Sequence, residues 1–234
     1  MKNLIIASTS TLHSGSYLDY LLPELETLYS GLDEILFVPF ARPGGISHDS
    51  YTEKASSAFQ QIGKRLVGLH TFEDQVAAIA DTKGIFTGGG NTFVLVHALH
   101  THKLMQPLRE AIFSGTPYLG TSAGSNICGP SMQTTNDMPI VYPPSFKTLG
   151  LVGFNINPHY LDPNPNSTHM GETRETRIKE FHTQNTIPVI GLREGSWLEV
   201  KEDAIILKGK LSARVFLQGK APYEIESGSQ IDYI

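Results

Sequence analysis

A serine flanked by glycines is the residue in this sequence whose setting most favours chemistry. The segment Gly120-Thr121-Ser122-Ala123-Gly124 follows an apolar run and has the pattern G-x-S-x-G. Small residues allow a sharp turn from a strand into a helix, which projects the central hydroxyl from the end of the strand. The free N–H groups at the start of that helix point to whatever the hydroxyl attacks. The pattern predicts a nucleophile at Ser122, although the same pattern also occurs in ordinary turns.

A second glycine-rich segment, Gly88-Gly89-Gly90-Asn91, ends another apolar run. In open α/β sheets ligands bind at the carboxyl ends of strands, so the two glycine segments face one crevice if their strands are neighbours. Acyl transfer needs two N–H donors directed at a developing oxyanion, and we expect Ala123 and Gly90 to supply them. The alternative is a tight or phosphate-binding loop, but the Gly-Lys-Ser/Thr of a P-loop does not follow.

A serine nucleophile needs a base, and the chain contains nine histidines. Three of them, His97, His100 and His102, lie on one predicted helix and its end, which is more typical of a solvated face than of a metal site. His159 differs because it follows a predicted buried strand and Pro158, which stiffens the backbone before it. We therefore expect His159 to be the base.

A histidine base in turn needs an acidic group that orients its ring. Asp137 lies in Thr134-Thr135-Asn136-Asp137-Met138-Pro139, a composition typical of a turn in which the carboxylate bonds to nearby backbone. Glu194, in Leu192-Arg193-Glu194-Gly195-Ser196-Trp197, is the second candidate. The residues alone do not decide between the two acids.

Short apolar runs alternate with segments of helical periodicity over about the first 130 residues. We predict strands over 4–7, 34–38, 67–69, 84–87 and 116–119, with helices over 17–29, 51–66, 73–80 and 91–104, the last followed by another through 113. Such alternation predicts a parallel sheet covered on both faces. Further on we expect a strand over 151–156, a helix over 171–183 and a strand over 189–192. Short alternating runs from Trp197 onward predict antiparallel hairpins, and the absence of a linker predicts a single domain over 1–234.

The composition is that of a globular protein. The 234 residues are 40% hydrophobic and 18% charged, and the formal net charge of −5 argues against nucleic-acid binding. A single cysteine, Cys128, excludes an internal disulfide and favours a reducing compartment. The short apolar run at the N-terminus reads as a buried strand rather than a signal peptide or a membrane span. We therefore expect a cytoplasmic protein that does not bind membranes.

Five motifs, in order and at matching spacing, resemble those of the alpha-aspartyl dipeptidase (peptidase E) family of serine peptidases. The resemblance extends from the first predicted strand to at least Trp197 and is looser in about the last thirty residues. The motifs are Gly88-Gly89-Gly90-Asn91-Thr92-Phe93, Ser122-Ala123-Gly124, Thr134-Thr135-Asn136-Asp137-Met138-Pro139-Ile140-Val141, Ile156-Asn157-Pro158-His159 and Gly171-Glu172-Thr173-Arg174-Glu175.

The resemblance implies a three-layer α/β sandwich with a mostly parallel central sheet. This flavodoxin-like fold is similar to that of class I glutamine amidotransferases, with a serine where those enzymes carry a cysteine, and here it ends in C-terminal antiparallel hairpins. The family pattern implies Ser122 as nucleophile, His159 as base and Asp137 as the acid that orients the base. Glu194 matches a position that has also been considered for the third member.

The family cleaves dipeptides and short peptides after an N-terminal aspartate through an acyl-enzyme, with no metal or organic cofactor. A cation should then meet the aspartate side chain, and bidentate arginine suits that role. We expect Arg174 to be this cation, with Arg177 in reserve, and His169 and Glu194 as further polar groups that bind substrate. A surface ion pair with Glu172, Glu175 or Glu180 is the alternative role for either arginine. We expect a monomer or a homodimer.

Three other functions are the alternatives to this reading. An esterase of the α/β-hydrolase type has the same order of serine, acid and histidine, but there the acid and histidine usually follow much later in the chain. A cyanophycinase-like peptidase is another serine hydrolase that fits. A non-catalytic small-molecule binder on the same fold is the alternative from a different class, and the full set of serine, histidine and acid argues against it.

Overall fold

Strands and helices alternate through the first half of the chain in this computed structural model. The structure describes residues 1–164, 166, 168 and 170–231. The strands are β1 (Asn3–Ala7), β2 (Glu34–Val38), β3 (Arg65–Gly68), β4 (Ile85–Thr87), β5 (Tyr118–Thr121), β6 (Asn155–Pro158), β7 (Val189–Leu192), β8 (Ser196–Lys201), β9 (Ala204–Gly209), β10 (Ala213–Phe216) and β11 (Tyr223–Ile225). The α-helices are α1 (Leu22–Leu28), α2 (His48–Gln60), α3 (Gln75–Asp81), α4 (Thr92–Thr101), α5 (Met105–Phe113), α6 (Ala123–Asn126) and α7 (Arg174–Phe181).

A central sheet of seven strands carries most of this alternation, in the order β3-β2-β4-β5-β1-β8-β9. The first five strands of that order are parallel, and β1 pairs with β5 in the register Leu4↔Tyr118. The hairpin of β8 and β9 then continues the sheet antiparallel to β1. The predicted mixed α/β fold with a mostly parallel central sheet is therefore confirmed.

Two apolar cores cover the two faces of the central sheet. Alternate residues of β1 point to opposite faces, so Leu4 and Ile6 enter one core and Ile5 and Ala7 the other. The first core is completed by residues of α4 and α5 such as Leu99, and the second by residues of α1 and α2. Fully burying one large apolar side chain is worth about 1.5–3 kcal/mol, which explains why helices cover both faces. The result is the predicted three-layer arrangement.

A second sheet of four strands, in the order β11-β10-β7-β6, was not predicted. The predicted C-terminal hairpins divide between the two sheets, because β10 pairs antiparallel with β7 while β8 pairs with β1. The strand predicted over 151–156 begins later, at Asn155. Leu151 and Val152 are buried, but their N–H groups donate to Cys128 in the loop after α6. Their apolar character therefore reflects a packed loop and not a strand.

Other element boundaries also differ from the predictions. The helix predicted over 17–29 begins at Leu22, after a short 3-10 turn, because Leu18 has a left-handed φ of 60°. The helix predicted over 171–183 is α7, whose first turn is capped by the hydroxyl of Thr173. No helix in the described part of the chain is long and apolar enough to cross a membrane. The single domain over 1–234 stays a prediction.

Candidate active site

Ser122 occupies a strained turn between β5 and α6. Its backbone has φ 53° and ψ −109°, a conformation that costs about 1–3 kcal/mol and persists only where surrounding contacts hold it. The Ser122 N–H donates to Ala7 of β1 over 3.1 Å, and the Ser122 carbonyl accepts from the N–H groups of Ser125 and Asn126. Contacts on both sides thus fix the serine at the carboxyl end of the central sheet.

Two glycines allow neighbouring backbone to come close to this turn. A Cβ on Gly124 would collide with the carbonyl of Thr87 at the end of β4, so α6 could not start so near that strand with any larger residue. A Cβ on Gly89 would lie 2.9 Å from the Ser122 Cβ. The two glycine-rich segments therefore meet at one crevice, and the loop that contains Gly90 lies against Ser122.

Ser122, His159 and Glu194 form a continuous hydrogen-bonded array. The Ser122 Oγ lies 2.9 Å from His159 Nε2, and His159 Nδ1 lies 2.6 Å from Glu194 Oε1. A carboxylate only accepts, so we assign the ring proton to Nδ1, which leaves Nε2 to accept from the serine hydroxyl. Such an array can transfer the serine proton to the imidazole while the carboxylate stabilises the resulting positive charge.

Asp137 takes a different place from the one that the family resemblance implied. Its Oδ2 accepts from the Thr92 N–H over 2.7 Å and from the Thr135 hydroxyl over 3.0 Å. Thr92 is the first residue of α4, where a free N–H and the positive end of the helix dipole attract a carboxylate. The expected contact between Asp137 and His159 is therefore corrected. Glu194, which was grouped with the substrate-binding residues, lies at the imidazole instead.

The two sheets meet at the buried hydroxyl of Ser8, just after β1. Ser8 Oγ accepts from the His159 N–H over 2.8 Å and donates to the Leu192 carbonyl over 2.7 Å. Ser122 follows a strand of the central sheet, whereas His159 and Glu194 follow strands of the second sheet. The Ser8 hydroxyl therefore ties the base to the sheet that carries the nucleophile.

Asparagine side chains attach the Asp137 segment to the second sheet. Asn136 Nδ2 donates to the Pro158 carbonyl over 2.7 Å, and Asn157 Nδ2 donates both to Asn136 Oδ1 and to the Thr134 carbonyl, each over 2.8 Å. These bonds hold the segment beside β6. Asp137 therefore lines the same cleft as Ser122 without a hydrogen bond to the array.

An ion-pair network anchors the turn that carries Glu194. Arg193 contacts Asp162 over 2.7 Å and Glu224 over 2.8 Å, with its own side chain largely buried. The hydrogen bond from Arg193 is the main cause that lowers the pKa of Glu224 to about 2. Arg193 is a residue that sequence reasoning missed, although its position directly before Glu194 was a signal.

A cleft of about 200 Å³ opens beside the array. Arg174, the first residue of α7, has no ion pair within 4 Å among the described residues. Burial lowers the pKa of Arg174 first and the neighbouring Arg177 lowers it further, while the Asp137 carboxylate opposes that shift. The lining residues are Thr92, Ser122, Thr135, Asn136, Asp137, Pro158, His159 and Arg174.

The remaining predicted residues lie elsewhere. Arg177 is exposed, with its Nε 3.8 Å from Glu172, so it has the surface ion pair that the sequence left open as an alternative. His169 lies outside the described residues. Cys128 is buried behind α6, and burial raises the pKa of its thiol. Within the ranges that the structure describes, no three His, Cys, Asp or Glu side chains are grouped closely enough to hold a metal ion.

A strained serine hydrogen-bonded to an imidazole that is itself oriented by a carboxylate is the arrangement of serine hydrolases. Comparison with known proteins gives the family. Residues 4–208 match the model of peptidase family S51. The chain is 47% identical to Peptidase E of Streptomyces coelicolor, over 98% of this chain and 93% of that protein. It is 46% identical to a probable alpha-aspartyl dipeptidase of Drosophila melanogaster, over 92% of this chain and 90% of that protein. The chain belongs to peptidase family S51 and is a peptidase.

Solved structures show the same fold. A putative peptidase E protein from Listeria monocytogenes superposes with a TM-score of 0.68 at 23% identity, covering 89% of this chain and 98% of that one. A peptidase from an acI-B1 actinobacterium gives a TM-score of 0.72 at 17% identity, covering 100% and 97%. At these identities the likeness concerns the fold alone.

Ser8→Ala tests the junction between the sheets. The change leaves the part-buried His159 N–H without its partner and removes one of the two hydrogen bonds to the Leu192 carbonyl, which still accepts from the Tyr160 N–H, so we expect the free energy of unfolding to fall by about 1–3 kcal/mol. We also expect slower acylation of Ser122 by a fluorophosphonate, because His159 loses its anchor. Urea denaturation and labelling rates measure both effects. Ser57→Ala, on the exposed face of α2, is the control and should change neither; an unchanged Ser8 variant would contradict the assignment.

Glu194→Gln and Asp137→Asn separate the two acids. Because Glu194 is the one carboxylate among the described residues that contacts the imidazole, Glu194→Gln should slow fluorophosphonate acylation of Ser122 by about 100-fold or more, whereas Asp137→Asn should leave it nearly unchanged. The reagent needs no substrate-binding groups, so its rate reports on the serine and its base alone. The reverse ranking of the two variants would restore Asp137 as the orienting acid.

Proposed function

We propose that this peptidase is a serine-type alpha-aspartyl dipeptidase, which hydrolyses the bond after an N-terminal aspartate in dipeptides and short peptides. One observation carries the proposal: Arg174 and Asp137 line the same small cleft as Ser122 and His159. The names of the Streptomyces and Drosophila relatives support the same activity. The cytoplasmic location and the monomeric or homodimeric state expected from the sequence belong to this proposal too.

The cleft offers opposite charges to the two ends of an aspartyl residue. The Arg174 guanidinium, which has no ion pair of its own among the described residues, suits the side-chain carboxylate of the substrate. Asp137 uses Oδ2 for its contacts with Thr92 and Thr135, so Oδ1 can accept from the free α-ammonium group. Recognition of that ammonium explains why cleavage would be confined to the first residue of a peptide.

The array supplies the chemistry in two steps. Ser122 Oγ attacks the carbonyl carbon of the aspartyl residue while His159 Nε2 takes the hydroxyl proton, and Glu194 stabilises the imidazolium. The Ala123 N–H and an N–H of the Gly89–Gly90 backbone hold the oxyanion. His159 then gives its proton to the departing amine as the peptide bond breaks. Water, deprotonated by His159, hydrolyses the acyl-enzyme and frees Ser122.

Ser122→Ala tests the nucleophile. Without the hydroxyl no acyl-enzyme can form, so kcat for Asp-Leu should fall by about 10⁴-fold or more. The fold should persist, because among the described residues the Ser122 hydroxyl forms a hydrogen bond only with His159. Initial rates with Asp-Leu and the circular dichroism spectrum provide the measurement and its control. Turnover at the level of the unchanged enzyme would exclude Ser122 as the nucleophile.

Arg174→Gln tests the specificity cleft, with Arg177→Gln as its matched control one turn along the same helix. Loss of a charged hydrogen-bond partner should lower kcat/KM for Asp-Leu by about 10- to 100-fold and remove the preference over Asn-Leu and Ala-Leu. Arg177→Gln should keep both the rate and the preference. Initial rates with Asp-Leu, Glu-Leu, Asn-Leu and Ala-Leu make the comparison. Equal rates for all four dipeptides in the unchanged enzyme would refute the aspartyl specificity.

A further inference from the structure

Arg42, in the loop after β2, is a half-buried cation without an anionic partner among the described residues. It follows β2 at the carboxyl edge of the central sheet, and its guanidinium carbon lies 4.3 Å from the centre of the Tyr51 ring. Its Nε is buried and has no hydrogen-bond partner, and no carboxylate lies within 4 Å of Arg42 in the described part of the chain. A buried donor left unpaired is costly unless water or a ligand satisfies it.

Two contacts connect Arg42 to the glycine loop beside Ser122. The carbonyl of Ala41, the preceding residue, accepts from the Asn91 N–H over 2.7 Å. The Tyr51 hydroxyl, at the end of the ring on which Arg42 stacks, donates to the Gly89 carbonyl over 3.0 Å. Gly89 is the residue whose backbone approaches Ser122. Two residues, Tyr51 and Gly89, therefore link Arg42 to the reacting serine.

Arg42 and Arg174 lie on different sides of that serine. Tyr51 belongs to the core covered by α1 and α2, together with Tyr17, whose hydroxyl lies 3.2 Å from that of Tyr51. The cleft of Arg174 is lined instead by Thr92, the first residue of α4, which packs on the opposite face. A peptide whose aspartyl residue fills the cleft would extend its leaving residue toward the side of Arg42.

We propose that Arg42 binds the C-terminal carboxylate of the leaving residue, so that the enzyme selects dipeptides over substrates that lack this carboxylate. The inference rests on the proposed function. An Asp-X dipeptide carries two carboxylates and one ammonium. The protein offers the complementary charges: two cations, Arg174 and Arg42, and one anion, Asp137. The guanidinium is planar through delocalisation and its contact with the Tyr51 ring orients it, which suits bidentate contact with a carboxylate. Lys54, whose Nζ lies 5.7 Å from the Tyr17 ring, adds positive charge on this side.

The test compares Asp-Leu with Asp-Leu amide, which lacks only the terminal charge. We expect the unchanged enzyme to prefer Asp-Leu by about 10- to 100-fold in kcat/KM. Arg42→Gln should lower kcat/KM for Asp-Leu by a similar factor, mainly through KM, and leave the amide substrate within about twofold of its original value. Arg42→Lys keeps the charge without the planar fork, so its kcat/KM for Asp-Leu should lie between the values of the unchanged enzyme and Arg42→Gln. Arg65→Gln, at the far edge of the sheet, is the control and should change neither substrate.

Two outcomes would overturn the proposal. An equal loss on both substrates in Arg42→Gln would mean that Arg42 only supports Tyr51 and the glycine loop, and equal rates on both in the unchanged enzyme would mean that no carboxylate is bound. A second measurement needs no turnover: leucine should slow fluorophosphonate labelling of Ser122 more than leucinamide does, and Arg42→Gln should abolish that difference. If Asp-Leu is not hydrolysed, the proposed function fails, while the labelling experiment still decides the role of Arg42.

Discussion

The active site depends on how two separate sheets are held together at their carboxyl ends. The central sheet positions Ser122, and the second sheet positions His159 and Glu194. A shift of either sheet by one ångström would break the 2.9 Å contact between Ser122 and His159. The Ser8 hydroxyl joins the end of β1 to the ends of β6 and β7, and it does so inside the protein, where water cannot compete for its hydrogen bonds. The geometry of the site is therefore a property of the whole three-layer packing.

The strained turn at Ser122 follows from the same packing. The start of α6 presses against the end of β4, which only Gly124 permits, and the glycine loop closes on Ser122 from the other side. Burial of the two apolar cores stabilises the fold by far more free energy than the strained turn costs, so the turn stays in place. The hydroxyl is thus oriented before any substrate arrives, and no energy is needed to orient it during the reaction.

The local sequence pattern predicted much of this arrangement. Most of what it missed depends on which strands pair with one another. The G-x-S-x-G segment and the alternation before it predicted the turn and the parallel sheet, because both depend on residues close in sequence. The choice between Asp137 and Glu194 could not be made locally, since both follow turns and only the pairing of β6 with β7 brings Glu194 beside His159. Arg42 went unnoticed because a cation in a loop has no periodic signal. The second sheet was missed because alternation of apolar residues predicts that a segment is a strand but does not identify the strand with which it pairs.

The order of the three side chains along the chain has a consequence for biosynthesis. The five parallel strands end at Thr121 and Ser122 follows directly, so the ribosome completes the nucleophile and these strands long before His159 and Glu194 emerge. A chain that ends before His159 carries the serine without the base that accepts its proton. The catalytic array is complete only when the second sheet, which begins at Asn155, packs against the central sheet. Proteolytic activity is therefore one of the last properties that the maturing polypeptide acquires.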